Sequence, residues 1–373
     1  MKPLAYGHLS IWPPVVLAPM AGITHYPFRQ LCREFGPCLA VSEMVTARSL
    51  VENNIKTLQI AKFGPNENPR SIQLYGIDPY YIGEAVKRLV GEDKVDHIDL
   101  NFGCPVKKVT RNGGGAALPY KVNLLRSIIS QAVKNAENIP ITVKCRMGIN
   151  DQNLTYLDTG VIAQDEGCSA IALHARTAAQ MYSGTADWSA IKLLKSTLKY
   201  IPVLGNGDIF MAEHVLDMIA KTNCDGVVIG RGCLGRPWLF RDILNLIDGS
   251  ARAEEPNLQQ VIAIMLRHLD LMITWFGEEQ ALIKFRKDAC YYLKGFKSST
   301  KIREIIMTVK SRQQMQDLLY AQDLTESYPI TVINEPRGKT GRGQEVCLPY
   351  GFLDCKKSMI PIALEAEDDI SGG

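Results

Sequence analysis

The chain has 373 residues, of which 46% are hydrophobic and 22% charged, and its formal net charge is +3. This composition is typical of a globular protein and argues against a disordered or fibrous chain. Because the net charge is small, any nucleic-acid surface must come from local clusters of basic residues. No apolar run approaches the ~18–20 residues that a membrane span requires.

The cysteines indicate the compartment. Ten of them are scattered along the chain, with no CxxC pair and no regular spacing. This pattern predicts reduced thiols rather than disulfides or an iron–sulfur cluster. The apolar N-terminal stretch is short and interrupted by prolines, unlike a signal peptide. We therefore expect a cytoplasmic protein that does not enter a membrane.

Eight short apolar runs alternate with segments of helical spacing through the first two thirds of the chain. Continuous apolar strands that alternate with helices predict a parallel sheet buried on both faces. Eight such units favour an α/β fold of the closed (β/α)8 TIM-barrel type, and an open doubly wound sheet is the weaker alternative. The predicted strands cover residues 15–20, 39–44, 71–76, 97–103, 141–148, 170–176, 202–208 and 226–232.

The pattern changes after the predicted barrel domain, residues 1–248. Residues 257–322 have helical periodicity without a strand signal, which predicts a smaller all-helical bundle. Residues 284–312 are rich in Lys and Arg, and Tyr291, Tyr292 and Phe296 lie among them. A solvated helical face is one interpretation, but the interleaved aromatic residues favour a nucleic-acid surface. Residues 328–373 lose periodicity, and we expect a poorly ordered tail there.

The stretch 97–118 combines a buried strand, a cysteine and a basic, glycine-rich loop. Cys104 follows the strand directly, between Gly103 and Pro105, so its side chain is placed at the strand end. Three consecutive glycines at 113–115 let the loop move. Its basic residues, which can meet phosphate, are Lys107, Lys108 and Arg111. We interpret Cys104 as a catalytic acid and the loop as its lid.

Polar residues at the other strand ends are best treated as one site, because the chemistry of such barrels lies there. The seventh and eighth strands end in glycines, and loops at these positions usually bind phosphate, with Arg231 as the cation. Turn glycines without a ligand are the alternative. Gln73 suits a ring with a carbonyl and an imide, and Lys144 puts positive charge beside a ring that gains electrons. Together with the apolar backbone at Pro19, these features describe an FMN site.

Seven segments resemble the bacterial type of tRNA-dihydrouridine synthase, over roughly residues 15–308. They are LAPMAGITH at Leu17, SIQLYG at Ser71, NFGCP at Asn101, VKCRMG at Val143, HARTAAQMYSGTADW at His174, GNGD at Gly205 and GRGCLGRPW at Gly230. Two positions depart from the family. His25 replaces a common acidic residue at a helix start, where we expect little effect on the chemistry. Pro119 stands in the lid where an apolar residue is more usual.

The resemblance implies reduction of the C5=C6 bond of D-loop uridines in tRNA, with FMN as cofactor and NADPH as reductant. Hydride would reach C6, and Cys104 would donate the proton to C5. The flavin would be held by Pro19, Met20, Ala21, Gln73, Lys144, His174, Asn206, Gly207, Asp208, Gly230 and Arg231. The substrate would be contacted by Asn101 and Arg176 at the barrel and by Lys294, Lys297 and Lys301 on the helical domain. The family also leans towards a monomer.

Several alternatives stay open at this level. Glu43 and Arg146 are either site residues or a structural pair inside the barrel. A flavin barrel that acts on free pyrimidines would need the same strand-end residues, and a non-catalytic RNA-binding barrel is a third possibility. A metal-ligand role for Cys104 is not expected, since no Cys or His lies at ligand spacing from it, and we expect no metal.

Overall fold

A closed barrel of eight parallel strands forms the larger part of the protein. The computed structural model describes residues 1–297, 299–338 and 341–359. The barrel strands pair in chain order and the last pairs with the first, which confirms the predicted TIM barrel and excludes the open sheet. They are β3 (Val15–Leu17), β4 (Leu39–Thr46), β5 (Ser71–Tyr75), β6 (His97–Phe102), β7 (Ile141–Arg146), β8 (Ala170–His174), β9 (Val203–Asn206) and β10 (Gly226–Ile229).

Each of these strands coincides with one of the eight apolar runs. They are buried on both faces, which is why they read as continuous apolar segments. Helices surround them: α1 (Tyr26–Phe35), α2 (Ala47–Val51), α3 (Ile55–Ala61), α4 (Pro79–Gly91), α5 (Lys107–Thr110), α6 (Val122–Asn135), α7 (Tyr156–Asp165), α8 (Trp188–Thr197), α9 (Glu213–Thr222) and α10 (Leu239–Ile247). Among the residues described, no helix is both long and apolar enough to cross a bilayer.

A small hairpin that the sequence analysis missed closes the amino-terminal end of the barrel. It consists of β1 (Leu4–Tyr6) and β2 (Leu9–Ile11), which pair in antiparallel fashion. The apolar side chains of the hairpin pack with Val16 and Leu39 in one buried cluster. Because this end is filled, a ligand reaches the barrel interior only from the carboxyl-terminal mouth.

The helical domain follows the barrel and packs on α1 and on Trp238. Its helices are α11 (Leu258–Phe276), α12 (Glu278–Tyr292), α13 (Ser299–Ile306) and α14 (Arg312–Tyr320). Its buried core includes Leu31 of α1 and Trp238, which directly precedes α10. An ion pair of 2.6 Å between Glu34 and Arg267 joins α1 to α11. Tyr292 and Phe296 are buried in this core, so the prediction that they interleave with lysines on a nucleic-acid surface is wrong.

The described part of the predicted tail, residues 328–373, makes specific contacts with the loop before α6. The Tyr120 hydroxyl donates to the Leu353 carbonyl at 2.8 Å, and Lys121 Nζ donates to the Cys355 carbonyl at 2.7 Å. Phe352 is buried, with its ring 6.1 Å from that of Tyr120. The segment makes contacts through single residues of an irregular backbone, and such contacts leave no periodic pattern in the sequence. Residues 339–340 and 360–373 lie outside the described residues.

Candidate active site

A cavity of about 240 Å³ opens at the carboxyl-terminal mouth of the barrel, and we call it the mouth cavity. A smaller pocket of about 90 Å³, the glycine pocket, adjoins it between the loops after β9 and β10. Predicted site residues that line the mouth cavity are Pro19, Met20, Ala21, Gln73, Asn101, Cys104, Lys144, His174 and Arg231. Those that line the glycine pocket are Pro19, Met20, Lys144, His174, Asn206, Gly207, Asp208, Gly230 and Arg231.

Cys104 is held at the wall of the mouth cavity by the turn that ends β6. Asn101 Oδ1 accepts hydrogen bonds from the backbone N–H groups of Gly103 and Cys104, each at 3.0 Å. An Asn side chain that caps its own turn fixes the backbone of the residues that follow it. Cys104 is half-buried and is not part of a disulfide. Its thiol is therefore on a rigid support at the edge of the cavity.

A row of hydrogen bonds inside the barrel orients Asn101 in turn. Gln73 Oε1 accepts from Asn101 Nδ2 at 3.0 Å, and Gln73 Nε2 donates to Asp99 Oδ2 at 2.7 Å. Thr142 Oγ1 donates to the other Asp99 oxygen at 2.7 Å. Because an ionised carboxylate only accepts, it decides which end of each amide points towards it. Burial raises the pKa of Asp99 to about 6, although these hydrogen bonds and the charge of Lys144 oppose the shift.

Lys144 is a half-buried cation that lines both pockets. Its Nζ donates to Asn206 Oδ1 at 3.1 Å, and Asn206 Nδ2 donates to the Val228 carbonyl at 2.7 Å. Burial lowers the pKa of Lys144 to about 8, and the carboxylate of Asp99 opposes part of this shift. The side chain is therefore charged at neutral pH and loses its proton as the pH rises through about 8.

His174 ends β8 and lines both the mouth cavity and the glycine pocket. Burial lowers its pKa well below the ordinary value, and the neighbouring cations Arg146 and Lys144 lower the pKa further. A neutral imidazole offers one donor and one acceptor. His174 can therefore hydrogen-bond a ligand without adding charge.

The glycine pocket combines bare backbone with a positioned arginine. Gly207 adopts φ of +129°, a conformation that side chains rarely allow. Arg231 lies over the ring of Tyr182, with 4.6 Å between its guanidinium carbon and the ring centroid. Arg231 Nη2 is also 3.4 Å from Asp208 Oδ1. Glycine backbone and a guanidinium beside it are the groups that bind phosphate.

Arg176, which is buried, forms an ion pair with the half-buried Asp208. Asp208 Oδ2 accepts from Arg176 Nη2 at 2.8 Å and from the Ala186 N–H at 2.7 Å. Arg176 also donates to the carbonyls of Ser183 and Gly184, and its side chain is 1% exposed. It does not line the mouth cavity or the glycine pocket in this structure, and its hydrogen bonds hold the loop after β8. The Asp208 carboxylate is likewise turned towards protein donors.

Glu43 and Arg146 do not pair with each other, so a structural pair inside the barrel is excluded. Arg146 donates to the carbonyls of Gly103 and Met181, at 3.1 and 2.7 Å. It thereby ties the loop after β6 to the loop after β8. The Glu43 carboxylate accepts from the backbone N–H of Gly22.

The three glycines of the predicted lid are closely packed. All three are buried, and a Cβ at Gly114 would lie 2.1 Å from the Tyr75 hydroxyl. Gly115 has φ of +53°, and a Cβ there would lie 2.4 Å from the Cys104 carbonyl oxygen. That oxygen accepts from the Ala116 N–H at 3.0 Å. The basic residues of the loop are exposed: Lys107, Lys108 and Arg111.

The three lysines assigned to RNA differ in their surroundings. Lys297 and Lys301 are exposed. Lys294 Nζ instead lies 2.8 Å from a carboxylate oxygen of Glu335 and donates to the Pro336 carbonyl at 2.9 Å. Lys294 is therefore engaged within the protein.

Several residues that line the mouth cavity were not predicted as site residues, among them Tyr182, Lys287, Tyr291 and Gly338. Tyr182 lies within the HARTAAQMYSGTADW segment. Because this segment is highly specific for the family, it could have indicated Tyr182 as a site residue. Lys287 and Tyr291 of α12 show that the helical domain contributes a wall of the cavity. Gly338, in the segment after the helices, also lines the cavity. No sequence pattern had indicated this residue.

The sequence profile of the family "Dihydrouridine synthase (Dus)" matches residues 16–328. A protein of Mycobacterium leprae named "Probable tRNA-dihydrouridine synthase" is 46% identical over 96% of this chain and 100% of its own length. "tRNA-dihydrouridine synthase B" of Vibrio parahaemolyticus is 36% identical over 78% of this chain and 89% of its own.

Among solved structures, histamine dehydrogenase from Rhizobium sp. 4-9 superposes with a TM-score of 0.50. The match covers 72% of this chain and 50% of that one at 12% identity, and it therefore speaks only for the barrel fold. The family profile extends over the barrel and the four helices of the helical domain. On this evidence the chain belongs to the dihydrouridine synthase family.

Proposed function

We propose that this protein reduces uridines in the D-loop region of tRNA to dihydrouridine, with FMN as cofactor, NADPH as reductant and Cys104 as proton donor. The observation that carries the proposal is the position of Cys104. Asn101 fixes its backbone at the wall of a cavity that also presents the Lys144 ammonium. The names of the curated relatives support the tRNA substrate.

The residues of the two cavities fit FMN. In the glycine pocket, the backbone at Gly207 and Gly230 and the guanidinium of Arg231 suit a phosphate group. In the mouth cavity, Pro19, Met20 and Ala21 offer an apolar wall to a ring system. Lys144, charged at neutral pH, and neutral His174 would face the polar edge of such a ring.

A flavin bound by these residues would provide the hydride for C6 of the uracil, with NADPH as the source of reducing equivalents. As the hydride arrives, the electron pair of the C5=C6 bond moves towards C5 and the C4 carbonyl. Cys104 then gives its thiol proton to C5, and the resulting thiolate is reprotonated from solvent. Thiols suit this role because their unperturbed pKa of ~8.5 keeps them mostly protonated at neutral pH. The Lys144 ammonium would place positive charge beside a ring bound in this cavity, where it would stabilise added negative charge.

A uridine inside folded tRNA reaches the cavity only if its base leaves the stack. The mouth cavity is bordered by Lys287 and Tyr291 of the helical domain, and the exposed Lys297 and Lys301 lie on the same domain. Folded RNA is recognised mainly by shape and by backbone charge. These exposed lysines support a helical domain that holds the RNA backbone while the barrel receives the base.

The test is to incubate unmodified tRNA with the purified protein and NADPH, and to measure dihydrouridine at each position. Cys104→Ala should keep bound flavin and NADPH oxidation while dihydrouridine formation falls by ~10²-fold or more. Cys290→Ala, which changes a half-buried thiol on α12, is the matched control and should keep full activity.

Two outcomes would contradict the proposal. Undiminished product from Cys104→Ala would remove the proton-donor role. Reduction of free uridine or uracil without any reaction on tRNA would favour the small-molecule enzyme instead.

A further inference from the structure

Three buried side chains converge where the barrel meets the helical domain. They are His25 at the start of α1, His268 on α11 and Asp288 on α12. One ring nitrogen from each histidine and one carboxylate oxygen of Asp288 all lie within 4.8 Å of one another. None of the three lines the mouth cavity or the glycine pocket, so the cluster is separate from the proposed active site.

His268 presents a nitrogen that its surroundings leave unsatisfied. Its Nδ1 lies 3.2 Å from the Tyr292 hydroxyl, which can accept the Nδ1 proton. Its Nε2 is buried and has no hydrogen-bond partner among the described residues. Histidines that bind metals commonly use one nitrogen as the ligand while the other donates to a polar group. Tyr292 has the position of that outer partner.

Asp288 is equally unusual. Its side chain is buried, and no hydrogen bond from any described residue offsets the loss of water. Burial raises the pKa of Asp288 to about 7, and the charge of Lys287 opposes this shift. A buried carboxylate without hydrogen bonds is costly and calls for a proton or a cation.

His25 completes the set without losing its role at the helix start. Its Nδ1 receives only a long contact of 3.4 Å from the Phe28 N–H, whose better acceptor is the His25 carbonyl at 3.1 Å. The ring can therefore change its hydrogen bonding while the first turn of α1 stays intact. Two imidazoles and one carboxylate are the donor set of many Zn²⁺ sites.

We propose that His25, His268 and Asp288 bind a divalent transition-metal ion, with Zn²⁺ as the best match, that fastens the helical domain to the barrel. Zn²⁺ bonds of ~2.0–2.2 Å need donors about 3.5 Å apart, so binding draws the three groups inward by about 1 Å. The nearby cations do not occupy the site: Lys284 lies over the Phe276 ring at 5.2 Å and Lys287 lines the mouth cavity.

The sequence did not predict a metal, because no Cys or His lies at ligand spacing from Cys104. The three donors of this cluster come instead from distant parts of the chain. The inference also does not depend on the proposed reaction, because its measurements concern metal content and stability rather than dihydrouridine.

The experiment is a Zn²⁺ titration of the holoenzyme, after chelator treatment and dialysis, against a chromophoric zinc chelator. The wild type should take up one equivalent with a raised melting temperature. Asp288→Asn and His268→Gln should weaken this binding by about 100-fold or more, and His25→Asn should weaken it while preserving the helix cap. His214→Gln, a half-buried histidine on α9, is the matched control and should bind like the wild type.

A second measurement guards against variants that fail to fold. Co²⁺ added to the wild type should give visible absorption bands to the red of the flavin, and Zn²⁺ should remove them. Absence of Zn²⁺ uptake by the wild type would overturn the proposal. Uptake that persists unchanged in all three variants would overturn it too, because exposed thiols such as Cys355 would then be the binding groups.

Discussion

At the scale of single residues, the donor and acceptor direction of each hydrogen bond determines how the polar side chains of the site are oriented. Asp99 only accepts when ionised, so Gln73 must turn its NH₂ group inwards and its oxygen towards Asn101. Asn101 must then turn its own oxygen to the backbone N–H of Cys104. Gln73 and Asn101 were predicted at strand ends from the sequence. No sequence pattern indicated that Asp99, inside the barrel, orients both amides.

Replacing Asp99 by Asn tests this order. Asn offers one oxygen and one NH₂ group, so Gln73 and Thr142 can no longer donate to both sides of it. Hydrogen bonds to a charged group contribute ~1.5–3 kcal/mol, and we expect the rate of dihydrouridine formation to fall about tenfold or more. The wild-type rate should rise with pH through about 6 as Asp99 ionises, and the variant should lack this rise. Single-turnover rates of the wild type and the variant, measured between about pH 5 and 7, test this prediction. If the variant rate also rises through about pH 6, a group other than Asp99 causes the rise.

Lys144 should control the alkaline side of the same profile. Its pKa is lowered to about 8 by burial, so the ammonium disappears as the pH rises through this value. We expect the rate of flavin reduction by NADPH to decline above about pH 8 in the wild type. Lys144→Met should be slower at neutral pH and show no further decline there. A decline of equal size in the variant would exclude Lys144 as its source.

At the scale of elements, the loop after β6 is shaped by its glycines in a way that the sequence does not reveal. A glycine run is compatible with motion and with close packing, and only the contacts distinguish the two. Here Gly114 and Gly115 bring the loop against Tyr75 and the Cys104 carbonyl. The tail restrains the same loop a second time, because the hydroxyl of Tyr120, at the end of the loop, donates a hydrogen bond to the Leu353 carbonyl.

Gly115→Ala tests the packing role of the loop. At φ of +53° and with 2.4 Å to the Cys104 oxygen, a methyl group forces the loop away from the strand end. We expect a loss of about 1–3 kcal/mol in the free energy of unfolding, together with slower dihydrouridine formation. Urea unfolding and turnover are the measurements.

Gly91→Ala is the control for that substitution. Gly91 ends α4 and has nothing within 4 Å of the added Cβ, so we expect it to be neutral or slightly stabilising. Equal behaviour of the two variants would mean that the loop tolerates displacement and is a mobile lid after all.

At the scale of the whole molecule, periodicity was sufficient to predict the barrel and the helical domain. Since the carboxyl ends of parallel strands meet at one mouth, residues far apart in sequence could be assembled into a site. The periodicity of the sequence does not predict the direction in which each polar side chain points. Arg176 sits at a strand end as expected, but it turns to Asp208. Contacts between distant segments, such as His25 with Asp288, follow only from the packing of the two domains.

The packing of the two domains also predicts how the RNA is held. If the exposed Lys297 and Lys301 contact phosphates, reversing both to Glu should weaken tRNA binding and make it less salt-dependent. Each lost phosphate contact reduces the magnitude of the slope of log K against log salt by ~0.7–0.9, so the slope of the double variant should be smaller by about 1.4–1.8. Lys294→Ala is the control, because Lys294 is already paired with Glu335 and should leave the slope nearly unchanged. Binding titrations at several salt concentrations measure this, and an unaltered slope in the double variant would remove these lysines from the RNA surface.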